Sequence, residues 1–207
     1  MISLLIDTAT SNITVSIIKE QNILYNYKEN ILSDMSSKIL PIIDKGLKDL
    51  NLKLNDIDKI FVVNGPGSFT GIRVGVTVAK TIAWALKKDI ISLSSLELMA
   101  TTNTNKKYLV PMIDARRGNV FIGIYDKEIN CIRKDKLINL TEFISDLNDD
   151  YEFVSYDNIE LPTLIKPNID VLKIINKHIN DKGVNPHNLN PNYLKLTEAE
   201  ENKLKND

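Results

Sequence analysis

The sequence predicts a duplicated α/β fold of two lobes. Three observations carry this: a repeated hairpin signature, the order of strands and helices around each copy, and a polar stretch halfway along the chain. Laying IDTATSNITVSIIKE (6–20) over IDARRGNVFIGIYDK (113–127) puts Asp7 on Asp114, Asn12 on Asn119, Val15 on Ile122 and Ile17 on Ile124, an offset of 107 residues. Each copy reads as a strand ending in Asp, a tight polar turn and an alternating strand, the mark of a repeated supersecondary unit. The unpatterned NTNKK (103–107) serves as the hinge. A first lobe then spans 1–104, and a second spans 105–207 with a charged, mobile tail.

The elements follow in order. ISLLID (2–7) is a short apolar run rich in β-branched residues, a buried strand. In NITVSIIKE (12–20), Ile13, Val15 and Ile17 alternate with Thr14 and Ser16, the period of a two-faced strand. NILYNYKEN (22–30) closes a hairpin with it. Over 31–50, Met35, Ile39, Ile42, Ile43, Leu47 and Leu50 recur at helical spacing, with Ser33 or Ser36 available as a cap and Pro41 either in the first turn or at a kink. DKIFVVN (58–64) is a buried strand, 71–86 a helix, DIISLS (89–94) a strand and SLELMATT (95–102) a short helix. The second half repeats the scheme with strands at 108–114, 119–126 and 129–138, a helix at 140–147, a strand at 151–157 and a helix at 168–181 stopped by Gly183.

Between strand 58–64 and helix 71–86 lies NGPGSFTGIRVG (64–75), a glycine-rich turn of the kind that often cradles phosphate. It is not a Walker A loop, because no Gly-Lys pair exists to reach the β- and γ-phosphates. It also misses the dinucleotide fingerprint: after Gly65 and Gly67 the third glycine, Gly71, comes one residue late, and IISLSS offers no acid for a ribose. The pattern fits a sharp strand exit at Gly65-Pro66-Gly67, followed by a helix capped by Ser68 or Thr70. Within that helix Gly71, Gly75, Ala79 and Ala83 form a smooth stripe flanked by Val74, Val78 and Ile82. A stripe of small side chains either packs in the chain's own core or lets a partner helix approach, together with the apolar face of helix 31–50.

Composition excludes several classes. A net charge of −1 lacks the basic signature of an independent nucleic-acid binder. A single cysteine, Cys131, precludes an internal disulfide and fits a reducing compartment. MISLLIDTAT has neither a basic leader nor an apolar run long enough for a membrane, so the expected location is the cytoplasm, with no membrane association. The two histidines, His178 and His187, are nine apart with no i+4 partner, so no metal site is expected. Ser68 sits in GPGSFTG rather than G-x-S-x-G and has no nearby histidine, which argues against a protease. Duplicated lobes of this type build actin, Hsp70 and sugar kinases, where short turns grip ATP phosphates. Here DTATSN has no glycine and DARRGN carries Arg116 and Arg117, which suit an anion, Asp114 or partner carboxylates better than catalysis. Arg73 is placed to reach the cleft between the lobes. An ATP-dependent small-molecule kinase of this superfold is the alternative reading.

LLIDTATSNITVSI, NGPGSFTGIRVGVTVAKTIAWAL, SLSSLELMA and MIDARRGNVFIGIYD, in this order and spacing, resemble the TsaB (YeaZ) family, as does PNYLK (191–195). The resemblance covers roughly 1–126 and is loose over 127–190; MSS stands where relatives often carry a histidine. It implies an actin/Hsp70-like (ASKHA, ribonuclease H-like) fold and a role in making threonylcarbamoyladenosine beside the anticodon of tRNAs that read codons starting with A. It implies a non-catalytic scaffold that forms a heterodimer with TsaD, which performs the transfer. TsaE joins that pair, TsaC supplies threonylcarbamoyl-AMP, and tRNA is met only through the complex. ATP, ADP and metal would belong to the partner subunits, with no cofactor on this chain alone. The expected docking surface is a four-helix bundle using Met35, Ile39, Ile42, Ile43, Gly71, Gly75, Val78, Ala79, Ile82 and Ala83, through which the lone chain could also form a homodimer. Gly65, Gly67, Ser68, Thr70, Arg73, Arg116 and Arg117 are the positions expected near an anion or nucleotide.

Overall fold

Two five-stranded mixed sheets with one strand order organise the computed structural model, which describes residues 1–31, 34–145 and 150–194. The first sheet contains β1 (Ile2–Asp7), β2 (Asn12–Lys19), β3 (Asn22–Asn30), β4 (Lys59–Gly65) and β5 (Ile90–Ser94), in the order β3-β2-β1-β4-β5. The second contains β6 (Tyr108–Asp114), β7 (Asn119–Asp126), β8 (Cys131–Asn139), β9 (Tyr151–Val154) and β10 (Leu164–Ile165), in the order β8-β7-β6-β9-β10. In each sheet the three leading strands are antiparallel and the last two join in parallel. The duplication read from the sequence is therefore a duplication of topology, and the fold is of the two-lobed actin/Hsp70-like class.

The copies are not identical in register. Asp7 pairs with Thr14, but Asp114 pairs with Val120 rather than with Phe121, the residue aligned to Thr14. A slip of one residue exchanges the faces that meet across a pair, so Ile122 sits opposite Met112 instead of Ile113.

Helix α1 (Met35–Asp49) links β3 to β4, and α2 (Phe69–Leu86) makes the crossover that parallel β4 and β5 require. Short α3 (Ser95–Met99) follows β5, α4 (Leu140–Ser145) follows β8, and α5 (Val171–His178) follows β10. Several boundaries differ from the sequence reading. Asp34, in a left-handed conformation, precedes α1 without a side-chain cap; Ser36 lies inside the helix and Ser33 outside the described residues. Pro41 falls beyond the first turn, exposed, where its missing N–H leaves one helical bond unmade. The strand from 151 stops at Val154 because the Ser155 hydroxyl accepts the Asp157 N–H at 3.0 Å and donates to the Met112 carbonyl at 2.8 Å. Gly183 does not stop α5, which ends at His178. It permits the bridge from Val184 to Ile90, where an added Cβ would lie 2.7 Å from Asp89 Cβ. The expected helical residues 146 and 147 and the tail from 195 lie outside the described residues.

The two halves share a core unequally. Leu4, Ile6, Phe61, Ile72 and Ala79 belong to a large buried cluster that also takes in Ile174 and Ile175 of α5 and one face of the second sheet through Ile113, Phe121 and Tyr125. Thus residues 169–194, assigned by sequence order to the second lobe, return to the first. Lys28 Nζ donates to the Ile169 carbonyl at 2.8 Å, and Gln21 and Asn176 exchange amide hydrogen bonds of 3.0 and 2.9 Å. The outer face of the second sheet keeps a small cluster of its own, including Val110, Met112, Ile122 and Phe143. Among the described residues, no helix is long and apolar enough to cross a membrane.

Candidate functional site

The glycine-rich loop leaves β4 at Gly65, continues through a cis Gly65–Pro66 peptide and enters α2 at Ser68, whose Oγ accepts the Gly71 N–H at 3.2 Å. Ser68, not Thr70, is the cap. Each glycine is explained by a close neighbour. A Cβ on Gly67 would lie 2.2 Å from the Ala9 carbonyl oxygen, on Gly71 2.1 Å from that of Thr8, and on Gly75 2.3 Å from Thr8 Oγ1. At Gly65 the obstacle is the Asn192 carbonyl at 2.4 Å, and φ is +124°. The loop is thus shaped to press against the β1–β2 turn, the turn that would hold phosphate in an ATPase of this fold. Ser68 N–H donates to the Ala9 carbonyl at 2.7 Å and Thr8 Oγ1 to the Gly71 carbonyl at 2.7 Å. Two of the turn's own N–H groups fold back on it: Ala9 N–H reaches Asp7 Oδ1 at 2.9 Å, and Asn12 N–H reaches Thr10 Oγ1 at 3.1 Å. A phosphate there would have to displace these bonds.

Asp7 is almost fully buried, and burial pushes its carboxyl up to about 7, against the lowering effect of the Ala9 N–H. Asp114 reproduces the same turn in the second lobe, its Oδ1 accepting the Arg116 N–H at 2.7 Å, but it is exposed. Arg116, Arg117 and Gly118 all have positive φ, 66°, 55° and 73°. Two consecutive left-handed arginines are strained, and the turn is held by the Asn119 N–H to the Arg116 carbonyl and the Leu140 N–H to the Gly118 carbonyl. Arg116 lines a cleft of about 760 Å³ between the lobes, opposite Ser68 and Thr70, and Thr10 and Ser11 of the first turn line the same cleft.

Arg73 does not lie free. Its guanidinium stacks 3.9 Å from the Phe69 ring centroid, and Nε donates to Tyr193 Oη at 2.8 Å, while Phe69 and Tyr193 stack at 4.8 Å. This cluster pins the returning segment across α2, helped by Asn192 N–H to the Asn64 carbonyl and Lys80 Nζ to the Leu189 carbonyl. Nothing in the sequence pairs Arg73 with a tyrosine 120 residues away; PNYLK was the only hint. His178 sits far from Ser68 in role as well as in sequence: it bonds Glu97 at 3.0 Å and Asp181 at 2.6 Å, with Lys177 also on Glu97 at 2.7 Å.

The expected docking residues divide sharply. Gly71, Gly75, Ala79, Ile82 and Ala83 are buried against the chain's own first lobe, as are Ile39, Ile42 and Ile43 of α1. The small-residue stripe is therefore the inner face of α2, because only glycine and alanine let the helix sit this close to β1 and its turn. Met35 and Val78 are half-buried. Between the neighbouring helices α1 and α2, Leu40, 54% exposed, and the part-exposed Val74 and Val78 face solvent, while the exposed Phe69 and Trp84 lie on the other side of α2, beside the returning segment. The helical spacing does not single out Leu40, and it places Val74 as a flank of the stripe but not as a docking residue, because spacing does not tell an inner apolar row from its rim. Among the described residues, no group of three or more His, Cys, Asp or Glu gathers as metal ligands.

The sheets and the paired turns define a two-lobed protein of the actin type whose first turn is covered on its Thr8–Ala9 side by its own glycine-rich loop. Residues 28–167 match the family model described as TsaD, tRNA N6-adenosine threonylcarbamoyltransferase. A protein of Bacillus subtilis named tRNA threonylcarbamoyladenosine biosynthesis protein TsaB is 29% identical over 97% of this chain and 96% of its own length. Its namesake in Buchnera aphidicola subsp. Schizaphis graminum is 32% identical over 60% of each chain. The solved structure of YeaZ from Pseudomonas aeruginosa superposes with a TM-score of 0.80 at 22% identity, covering 93% of this chain and 99% of that one, a likeness of fold. The chain belongs to the family of that model, and within it to the TsaB (YeaZ) group.

Proposed function

We propose that this chain is a non-catalytic scaffold subunit in the synthesis of threonylcarbamoyladenosine on tRNA. It docks on TsaD through the solvent-facing sides of α1 and α2, and TsaE joins the pair. The observation that carries the reading is that the GPGSFTG loop ties down the first-lobe turn, through Ser68 to Ala9 and Thr8 to Gly71. An ATPase of this fold needs that turn open. The names of the relatives supply the pathway. In this reading ATP, metal and the transfer chemistry belong to the partner subunits in the cytoplasm, tRNA is gripped by the assembly, and a second copy of the chain can take the α1–α2 face when TsaD is absent.

The test is reconstitution with TsaC, TsaD, TsaE, ATP, bicarbonate, labelled threonine and cognate tRNA. Label should enter tRNA only when this chain is added. Equal labelling without it, with the chain demonstrably folded, overturns the reading. The interlobe cleft beside Arg116 favours the second reading, an ATP-dependent kinase, which requires the isolated chain to bind ATP.

A further inference from the structure

A second cavity, of about 500 Å³, lies at the far end of α2 from the cleft, between the last helical turn and the returning segment at Pro186. Trp84, Ala85, Lys87, Lys88, Pro186 and His187 line it. Trp84 is the chain's only tryptophan and is 64% exposed, which is unusual for so large an apolar ring. By helical spacing it projects on the side of α2 that carries Arg73 and Lys80, next to the returning segment, and away from Val74 and Val78. Lys87 and Lys88 form no ion pair among the described residues, and Asp89 is the only acid on the rim. The His187 ring is exposed, its backbone N–H being tied to Asn185 Oδ1 at 2.9 Å.

We propose that this pocket holds an unpaired nucleotide of an RNA strand, the base stacked on the Trp84 indole and the flanking phosphates on Lys87 and Lys88. Two planar rings over a floor of alanine and proline, with cationic groups at the rim, are what a stacked base and its backbone need. Size decides against a protein face. A stable protein interface takes about 800 Å² from each partner, whereas one aromatic side chain contributes about 150–250 Å². Among the described residues, Trp84 is the only exposed large apolar side chain that lines this cavity. The net charge of −1 makes this contact weak alone, suited to an RNA already held by an assembly. Only the choice of RNA rests on the function proposed above.

Because Trp84 is unique, its fluorescence reports this site alone. Single-stranded oligoadenylate titrated into the full chain at low salt should quench it saturably, and duplex RNA should not. For single strands each phosphate neutralised by the protein adds about 0.7 to the log–log salt slope, so Lys87→Gln/Lys88→Gln should lower that slope by about 1.4. Trp84→Ala, followed with labelled RNA, should weaken binding about tenfold or more, while keeping the wild-type melting temperature and TsaD association. Absence of quenching with folded protein overturns the proposal, as does a salt slope unmoved by the lysine substitutions. Equal quenching by an acidic peptide, or loss of TsaD association in Trp84→Ala, assigns the pocket to a protein instead. Failure of TsaD association in the wild-type chain would instead count against the scaffold reading, whatever the RNA result.

Discussion

The two lobes share a strand order and an aspartate-capped turn, and both turns line the cleft, yet only the first is braced from behind by a glycine-rich loop. In the first lobe α2 fills the step between parallel strands β4 and β5, and its glycine-rich entry seals the turn at Thr8 and Ala9. In the second lobe no helix lies between β9 and β10, and the equivalent turn raises Arg116 into the cleft. The same unit becomes a packing platform in one lobe and an accessible edge in the other, and the difference lies in one helix and four glycines.

That contrast can be broken directly. Gly71→Val places a Cβ where the Thr8 carbonyl stands, 2.1 Å away, and backbone cannot yield as a side chain can. It should cost about 3–5 kcal/mol in denaturant unfolding. Gly118→Ala in the second turn meets only Asn139 Nδ2 at 3.6 Å, and its positive φ should cost about 1 kcal/mol. Similar losses at both positions would remove the asymmetry.

Next in size is Asp7, the buried member of the aspartate pair. Its carboxyl rises from 3.8 to about 7 on folding, so the fold prefers it neutral. Stability from this group is therefore greatest below pH 3.8 and is lost as pH rises through about 7. Asp7→Asn should stabilise the protein at pH 8 by up to about 4 kcal/mol, a gain that disappears towards pH 4. A pH-independent effect in thermal melts would contradict the burial argument.

The contact between α3 and α5 sharpens the comparison from the other side, since it ties the returning helix to the first lobe. Burial pushes Glu97 up, but the hydrogen bonds from His178 and Lys177 outweigh it, and the carboxyl ends below its usual 4.5. His178 is raised above 6.5 by its bond to Glu97, against burial, with Asp181 adding to the rise. The carboxylate's contribution is lost as pH falls through its lowered value, and the imidazole's as pH rises through its raised one. Their joint contribution is therefore largest between about pH 4.5 and 6.5. Glu97→Gln should cost about 2 kcal/mol in that window and flatten the profile. Smallest of the four, Arg73→Ala should cost about 1 kcal/mol and speed proteolysis of 185–194, because it removes both the ring stacking and the Tyr193 bond.

Strand periodicity made the first eight strands and α1 and α2 readable, because alternation and helical spacing are local. The two-residue β10 and the short helical turns at Leu54–Asp56 and Pro186–Asn188 leave no such trace. The glycines were readable as a turn, but not what they turn against: the obstacle at Gly71 is Thr8, 63 residues earlier. For the same reason the Gly71–Ala83 stripe could not be assigned to the inside or outside of α2 before the position of β1 was known. The allegiance of α5 to the first lobe depends on Thr101 and Thr102 accepting the N–H groups of Asp170 and Asn168, which no spacing encodes.

Calorimetric titration of TsaD with the full chain, wild type against Leu40→Glu/Val78→Glu, tests the central claim most directly. Leu40 is exposed and Val78 half-buried on the outer sides of α1 and α2, so the double variant should stay folded with a modestly lower melting temperature while TsaD affinity falls at least about 100-fold, the effect of a few interface anchors. Unchanged affinity in the folded double variant would contradict docking through this face.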